Sequence, residues 1–512
     1  MATSTLSSLF STTLPIPPSC IEFVPRCREW CVVGTYFLEK GSEEEEKAGG
    51  QKRSGSLVLL RLEGEGEGQR RVTTAATSPT PFAIFDLHFS PHHGTSSTQS
   101  STTAPHLLGL ASSTGSIALY AIDPSARAPA AQITHLRTLQ LFPSTDLLTY
   151  FSWHPTVPLL AAAALADGRV VLCDCSSSDE DDGDDADATA ATSTTAASVN
   201  ASSGKRRRKR TLTLLAHALE AWVTAFAPDG SALYSGGDDA ALKGVGLPVP
   251  AELIPGGDGE LSASAYLAAL ASTSTPQGGD EKDEEEEDDE GEEQEESRFS
   301  PPWHWQDART HGAGVTFILP LPLPLPQTAS SSTTPSLPSP LLLTGSYDES
   351  LRLLAPPPPV GPRRVRELAD VPLEGGVWRV SVVDGPTAVS SAEKGVGVEW
   401  TLLVSCMHAG TRVVRLTGSS TASAAAAAEE EGKAESEWDW AFEVLARFEE
   451  HQSMNYASAV QPLPLALEKL EETKEGEGGA GGSGDGEVKR KRKRTVISTS
   501  FYDRLVAVWE WS

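Results

Sequence analysis

Cysteine is scarce in this sequence, with six in 512 residues. That density is too low for a disulfide-stapled scaffold and fits a reducing compartment. Cys20, Cys27 and Cys31 cluster, but their spacing matches no zinc pattern, so no metal site is expected. Long apolar runs are missing too. No stretch reaches the roughly 18 residues that read as a membrane-crossing helix. The apolar run "FILPLPLPLP" is interrupted by prolines, which remove backbone donors and bar a helix. The opening "MATSTLSSLFSTTLPIPP" lacks a basic start and a continuous apolar core, so it does not read as a signal peptide. Common enzyme signatures are also absent: no G-x-S-x-G elbow, no Walker loop, no H-E-x-x-H. The expectation is a cytoplasmic protein with no membrane association.

Positive charge is in short supply. There are 41 Lys and Arg against 70 Asp and Glu, a formal net charge of −29. The excess is uneven, concentrated in Glu43–Glu46, Asp179–Asp187, Asp280–Glu296 and Glu429–Glu431. The basic counterparts are "KRRRKR" (Lys205–Arg210) and "KRKRKR" (Lys489–Arg494). Such low-complexity runs cannot pack a core and read as solvated loops. The basic hexamers have no interleaved aromatics, so direct nucleic-acid binding is not expected. They could instead serve nuclear import, which would add a nuclear pool. A chromatin or nucleolar adaptor would rest on these runs alone.

What is present is a repeat. An alternating apolar strand ending at a proline turn occurs seven times. It reads "CIEFVP" at Cys20–Pro25, "FDLHFSP" at Phe85–Pro91, "TYFSWHP" at Thr149–Pro155, "VTAFAP" at Val223–Pro228 and "VTFILP" at Val315–Pro320. Weaker copies end at Pro386 and Pro462. Each copy is followed by a small-residue strand, a polar turn and a second alternating strand, as in "LLTGSYDESLRLL". Seven such units predict an all-β, seven-bladed WD40-type β-propeller spanning 1–512. The repeat prolines stand 64 to 92 residues apart, against about 40–45 for a bare WD repeat. The surplus falls in insertions at 176–210, 278–297 and 476–494, which are expected to be disordered. The last unit has only three strands, so Leu6–Leu14 is expected to supply its fourth and remove a free edge.

Aligned units suggest His–Asp braces: His217 with Asp239, His311 with Asp348, and His451 with Asp503. These are expected to be structural. Unit six differs. Its leading loop "EGGVWRV" has no histidine, and its turn "SCMHAG" carries His408 where the others carry Asp. An imidazole suits acid–base work near neutral pH, although a surface or packing histidine is the plainer explanation. Cys406 reads as a small buried residue. Trp222, Trp378 and Tyr456 fall at one equivalent position. They either pack at a strand start or cage a quaternary ammonium by cation–π attraction.

The stretches "HALEAWVTAF", "YSGGDD", "RTHGAGV", "LLTGSYDESLRL", "GGVWRV", "LLVSCMHAG", "HQSMNYAS" and "STSFYDRLVAVW" together resemble the diphthine methyl ester hydrolase family, the WD-repeat proteins of diphthamide biosynthesis. The resemblance runs from about Cys20 onward, between the insertions. It implies removal of a methyl ester from methylated diphthine on translation elongation factor 2, giving diphthine and methanol without a cofactor. The amidating enzyme would be a further partner. In that setting Trp222, Trp378 and Tyr456, with Tyr347 beside them, would hold the substrate's trimethylammonium. The blade comparison then assigns His408 as general base, Arg379 to the oxyanion or product carboxylate, and Glu349 to orienting base or water. Water attack is favoured, with Cys406 or Ser346 attack left open. The alternative is a non-catalytic WD scaffold that presents the elongation factor to the amidating enzyme.

Overall fold

Small and apolar residues alternate so tightly in the second strand of each unit that both faces are buried. All six residues of Leu160–Leu165 (LAAAAL) and of Leu341–Ser346 (LLLTGS) are buried. A strand buried on both faces sits inside a sheet, with its unit's other strands alongside. The computed structural model describes residues 3–39, 52–64, 70–92, 105–176, 210–253, 261–272, 299–321, 340–359, 364–391, 395–420, 438–463 and 493–512. The expected insertions at 176–210, 278–297 and 476–494 lie outside these residues, apart from their ends.

The strands form seven sheets arranged as a β-propeller. The seven proline-ending stretches mark the innermost strands: Pro18–Phe23, Ile84–Phe89, Leu148–Trp153, Ala221–Phe226, Val315–Leu321, Arg379–Ser391 and Ala457–Val460. Each packs against the corresponding strand of the next blade, and the seventh packs against the first. The core therefore lies between blades. One apolar cluster joins blades one and two, another blades two and three, another blades six and seven. Close approach explains a recurring glycine. A Cβ on Gly236 or Gly345 would lie 2.6 or 2.4 Å from Val315 or Val377 of the following blade.

Blade seven takes its fourth strand from Phe10–Thr13, which pairs antiparallel with Leu505–Trp511. Leu6 belongs elsewhere. Ser4–Leu6 pairs parallel with Asp439–Phe448 and adds a fifth strand to blade six. Between them Ser8 donates its backbone N–H to Glu450 at 3.0 Å and its hydroxyl to the same carboxylate. That anchor splits the expected single strand in two.

The braces are more varied than the sequence suggests. His217 Nδ1 meets Asp239 Oδ1 at 2.9 Å. The other two pairs make no direct hydrogen bond. Asp348 is drawn to Arg352 at 2.8 Å, and Asp503 to the Ser453 hydroxyl at 3.0 Å. In all three blades the carboxylate instead accepts from the backbone N–H after the histidine: Ala218, Gly312 or Gln452. In all three the histidine Nε2 meets a hydroxyl of the second strand, Ser235, Thr344 or Ser498, at 2.9 Å. In blade seven Trp509 also donates to Ser498. Burial pushes His311 and His451 down to about 4, so both are neutral. Blade six is braced by a different pair: the nearly inaccessible Arg412 reaches Glu449 at 2.9 Å and Glu374 at 3.3 Å.

Candidate functional site

The innermost strands begin with a kink. In five blades the ladder slips by one residue near the start, at Ser19, Phe85, Thr149, Trp222 and Thr316. A bulge leaves its residue out of the ladder and re-aims the side chain. Where the residue is Ser19, Thr149 or Thr316, its hydroxyl donates to a backbone carbonyl of the next blade: Ile84, Ala221 or Val377. Where it is aromatic, the ring joins a belt. Trp378 and Tyr456 stand at the equivalent places in blades six and seven.

The belt is continuous. The Trp222 ring centroid lies 5.8 Å from Trp378 and 6.3 Å from Tyr347. Tyr347 is 6.0 Å from Trp378, and Trp378 is 5.1 Å from Tyr456. Beyond the four residues expected from sequence, Tyr456 meets Phe501 at 5.5 Å. Phe501 then meets Tyr36 at 5.9 Å, and Tyr36 meets Phe85 at 5.3 Å. All seven rings are half-buried. Sequence reasoning missed Phe85, although it occupies the position already aligned. It also missed Tyr36, Phe501 and Asp238, which with Tyr347 follow the second strand of four blades.

Acidic groups adjoin the belt. Asp238 Oδ1 accepts the Trp222 indole N–H at 3.2 Å. Burial, then Asp238, Tyr456 and Glu220, holds the Tyr347 phenol well above its usual range. Burial, with Tyr502, also raises the Tyr456 phenol. Both remain protonated. Aromatic faces beside a carboxylate suit a cation.

The residues expected to do chemistry are less assembled. Arg379 follows Trp378 in the chain but reaches across the ring, where Nη2 meets Asp86 Oδ1 of blade two at 2.8 Å. Its guanidinium stacks 4.5 Å from the Tyr150 ring centroid. His88 Nε2 lies 2.9 Å from Asp86 Oδ2, close enough for ion pairing but at an angle short of a hydrogen bond. His88 Nδ1 lies 3.3 Å from Glu22. Burial opposes the charged imidazole, but Asp86, Tyr150 and Glu22 outweigh it and hold His88 well above its usual range. Glu22, Asp86, His88, Tyr150 and Arg379 thus form one charged cluster on the innermost strands of blades one, two, three and six. Nothing in the sequence pattern identified this group.

His408 is exposed at the tip of its turn, and its side chain makes no hydrogen bond to another described residue. Glu349 is also exposed, on a left-handed backbone with φ of 67°. No contact among the described residues joins His408, Glu349 and Arg379. Cys406 is fully buried, and that burial pushes its thiol up to about 12. Ser346 donates to the Ala313 carbonyl at 3.0 Å. The structure therefore brings the aromatic residues together and leaves the three chemical candidates apart.

No protein-family profile matches the sequence, and no curated protein matches it. Among solved structures it is similar to a chain of the mitotic checkpoint complex, at 12% identity and a TM-score of 0.44, over 100% of this chain and 93% of that one. It is also similar to Chaetomium thermophilum Sqt1 bound to the N-terminus of the ribosomal protein L10. That match has 12% identity and a TM-score of 0.43, over 97% of each chain.

Proposed function

We propose that this WD-repeat propeller is a protein-interaction module whose aromatic mouth receives a cationic side chain of a partner protein. The supporting observation is the unbroken belt from Trp222 to Phe85, with Asp238 bonded to Trp222. Exposed Tyr502 packs edge-on against Phe501 at 5.0 Å and widens the apolar face. By the resemblance in sequence, the partner is translation elongation factor 2 and the cation the trimethylammonium of its modified histidine. The propeller would present the factor to the amidating enzyme.

A second function uses the same mouth. An esterase acting on methylated diphthine needs that trimethylammonium held, and the belt suits this. It also needs a base and an oxyanion donor near the ester. Among the described residues His408 has no orienting partner, and Arg379 is held by Asp86, so a binding role is better supported.

One experiment separates them. Full-length protein is mixed with methyl-esterified elongation factor 2, and complex formation and methanol release are both measured. Binding predicts a stoichiometric complex without turnover, weakened about tenfold by Trp222→Ala or Trp378→Ala, since a desolvated cation–π contact contributes about 1–2 kcal/mol. Methanol release from excess factor, abolished in His408→Ala, would favour the esterase. Unchanged affinity in both tryptophan variants would remove the mouth from the interaction.

A further inference from the structure

On the face opposite the mouth, the seam between blades one and seven forms a half-open cavity of about 440 Å³. Its lining includes four guanidinium groups, from Arg28, Arg61, Arg70 and Arg71, and two carboxylates, from Glu29 and Glu63. The lining carries two more arginines than carboxylates, in a chain of formal charge −29.

The carboxylates are unevenly shared. Glu63 holds Arg71 at 2.9 Å and lies 3.9 Å from Arg61, which also meets Glu29 at 3.4 Å. Arg70 is turned toward Glu510 of blade seven at 3.3 Å, and donates to the Gly64 carbonyl at 2.7 Å. Lys493 shares Glu510 at 3.1 Å. Arg28 differs from the others. Its Nε donates to the Pro462 carbonyl at 3.0 Å, and its Nη2 lies 3.5 Å from Gln461 Oε1. Gln461 donates back to the Arg28 carbonyl at 2.8 Å. Among the described residues no carboxylate lies within ion-pair distance of Arg28. Blade seven thus fixes this guanidinium by neutral acceptors, and among the described residues its charge has no carboxylate partner.

We propose that this seam cavity is an anion site that takes a phosphate group. A planar guanidinium held in place presents paired donors to phosphate oxygens, and little side-chain freedom remains to be lost on binding. Arg61 and Arg71, at the exposed lip, supply further positive charge once the ligand competes with Glu29 and Glu63. The cavity lies within the roughly 300–1,000 Å³ range of small-ligand sites. A phosphorylated serine of a partner protein and free inorganic phosphate share this chemistry.

The test uses the full chain at a constant ionic strength of about 0.15 M, where the Debye length of about 8 Å screens the acidic runs. Calorimetric titrations are run with inorganic phosphate and with a short phosphoserine peptide, its unphosphorylated form serving as control. The expected result is saturable binding of at least one phosphate ligand, weakened tenfold or more in Arg28→Gln and only partly restored in Arg28→Lys. Tighter binding of the phosphopeptide than of phosphate identifies a modified partner. Equal binding identifies the phosphate group itself as the ligand. Melting curves without ligand show whether Arg28→Gln is folded. If it is not, Arg61→Gln at the exposed lip replaces it, with a several-fold loss expected. No saturable binding of either ligand by the wild-type chain, or undiminished binding in the folded variants, overturns the site.

Discussion

Replacing Arg379 with methionine should destabilise the propeller, because the pair it forms with Asp86 joins strands from blades six and two across the channel. The side chains are 15% and 2% exposed and 2.8 Å apart. At an effective dielectric of about 20, unit charges at that distance attract by about 6 kcal/mol before desolvation is counted. Removing one partner of a buried pair costs about 3–5 kcal/mol, because the other charge stays buried. His88 remains beside Asp86 and softens the loss, so about 3 kcal/mol is expected for Arg379→Met. Asp86→Asn should cost a similar amount, since the Arg379 guanidinium then faces a neutral amide and loses its counter-charge. The double variant should be less destabilised than the sum, with a coupling of about 2 kcal/mol. Urea unfolding followed by tryptophan fluorescence measures all three, with the slope checked for constancy. Single losses below about 0.5 kcal/mol, the size of an ordinary surface change, would refute the clasp. So would strictly additive singles.

The same cluster predicts a pH dependence. The folded state raises the His88 pKa, so its contribution is full below the unfolded value of about 6.5 and is lost as pH climbs through the folded value. The melting temperature should fall from near-neutral pH upward, and His88→Gln should flatten that slope; an identical slope in the variant would exclude His88 as its source. Deleting Met1–Leu14 should cost at least about 5 kcal/mol, given seven lost ladder pairs at about 1 kcal/mol per net hydrogen bond. Calorimetry would show the drop, and an unchanged melting curve would mean that the ring closes without these strands.

The propeller could be read from the sequence because each innermost strand carries its own local signature, a period-two apolar run stopped by proline. Trp222, Trp378 and Tyr456 could be aligned for the same reason, and they do meet. Contacts across the ring had no such signature. Asp86 and His88 sit in plain view in "FDLHFSP", yet Arg379, the partner of Asp86, is 293 residues away. Alternation along a strand says which side chains face the channel but not which blade stands opposite. Two of the three expected braces failed for a different cause, while His217 with Asp239 formed as expected. Asp348 and Asp503 are placed as expected, but Arg352 and Ser453 compete for their carboxylates at short range. Likewise Arg412 could not be recognised as the brace of blade six, since its partners Glu374 and Glu449 come from two separate loops.

The two short strands near the start of the chain have a consequence for its synthesis. Thr3 and Ser4 find their partners 441 residues later, which at about 5–20 residues per second is a wait of roughly 20–90 s on the ribosome. Throughout that time Phe10–Thr13 is an unpaired strand with nothing to join, and blade one, the first to emerge, stands open on the side that blade seven will cover. A nascent chain in that state needs either a chaperone on its exposed edge or rapid stacking of blades two to six. The seam that closes last is the one that holds Arg28 and its cavity, so that cavity does not exist until synthesis is nearly done.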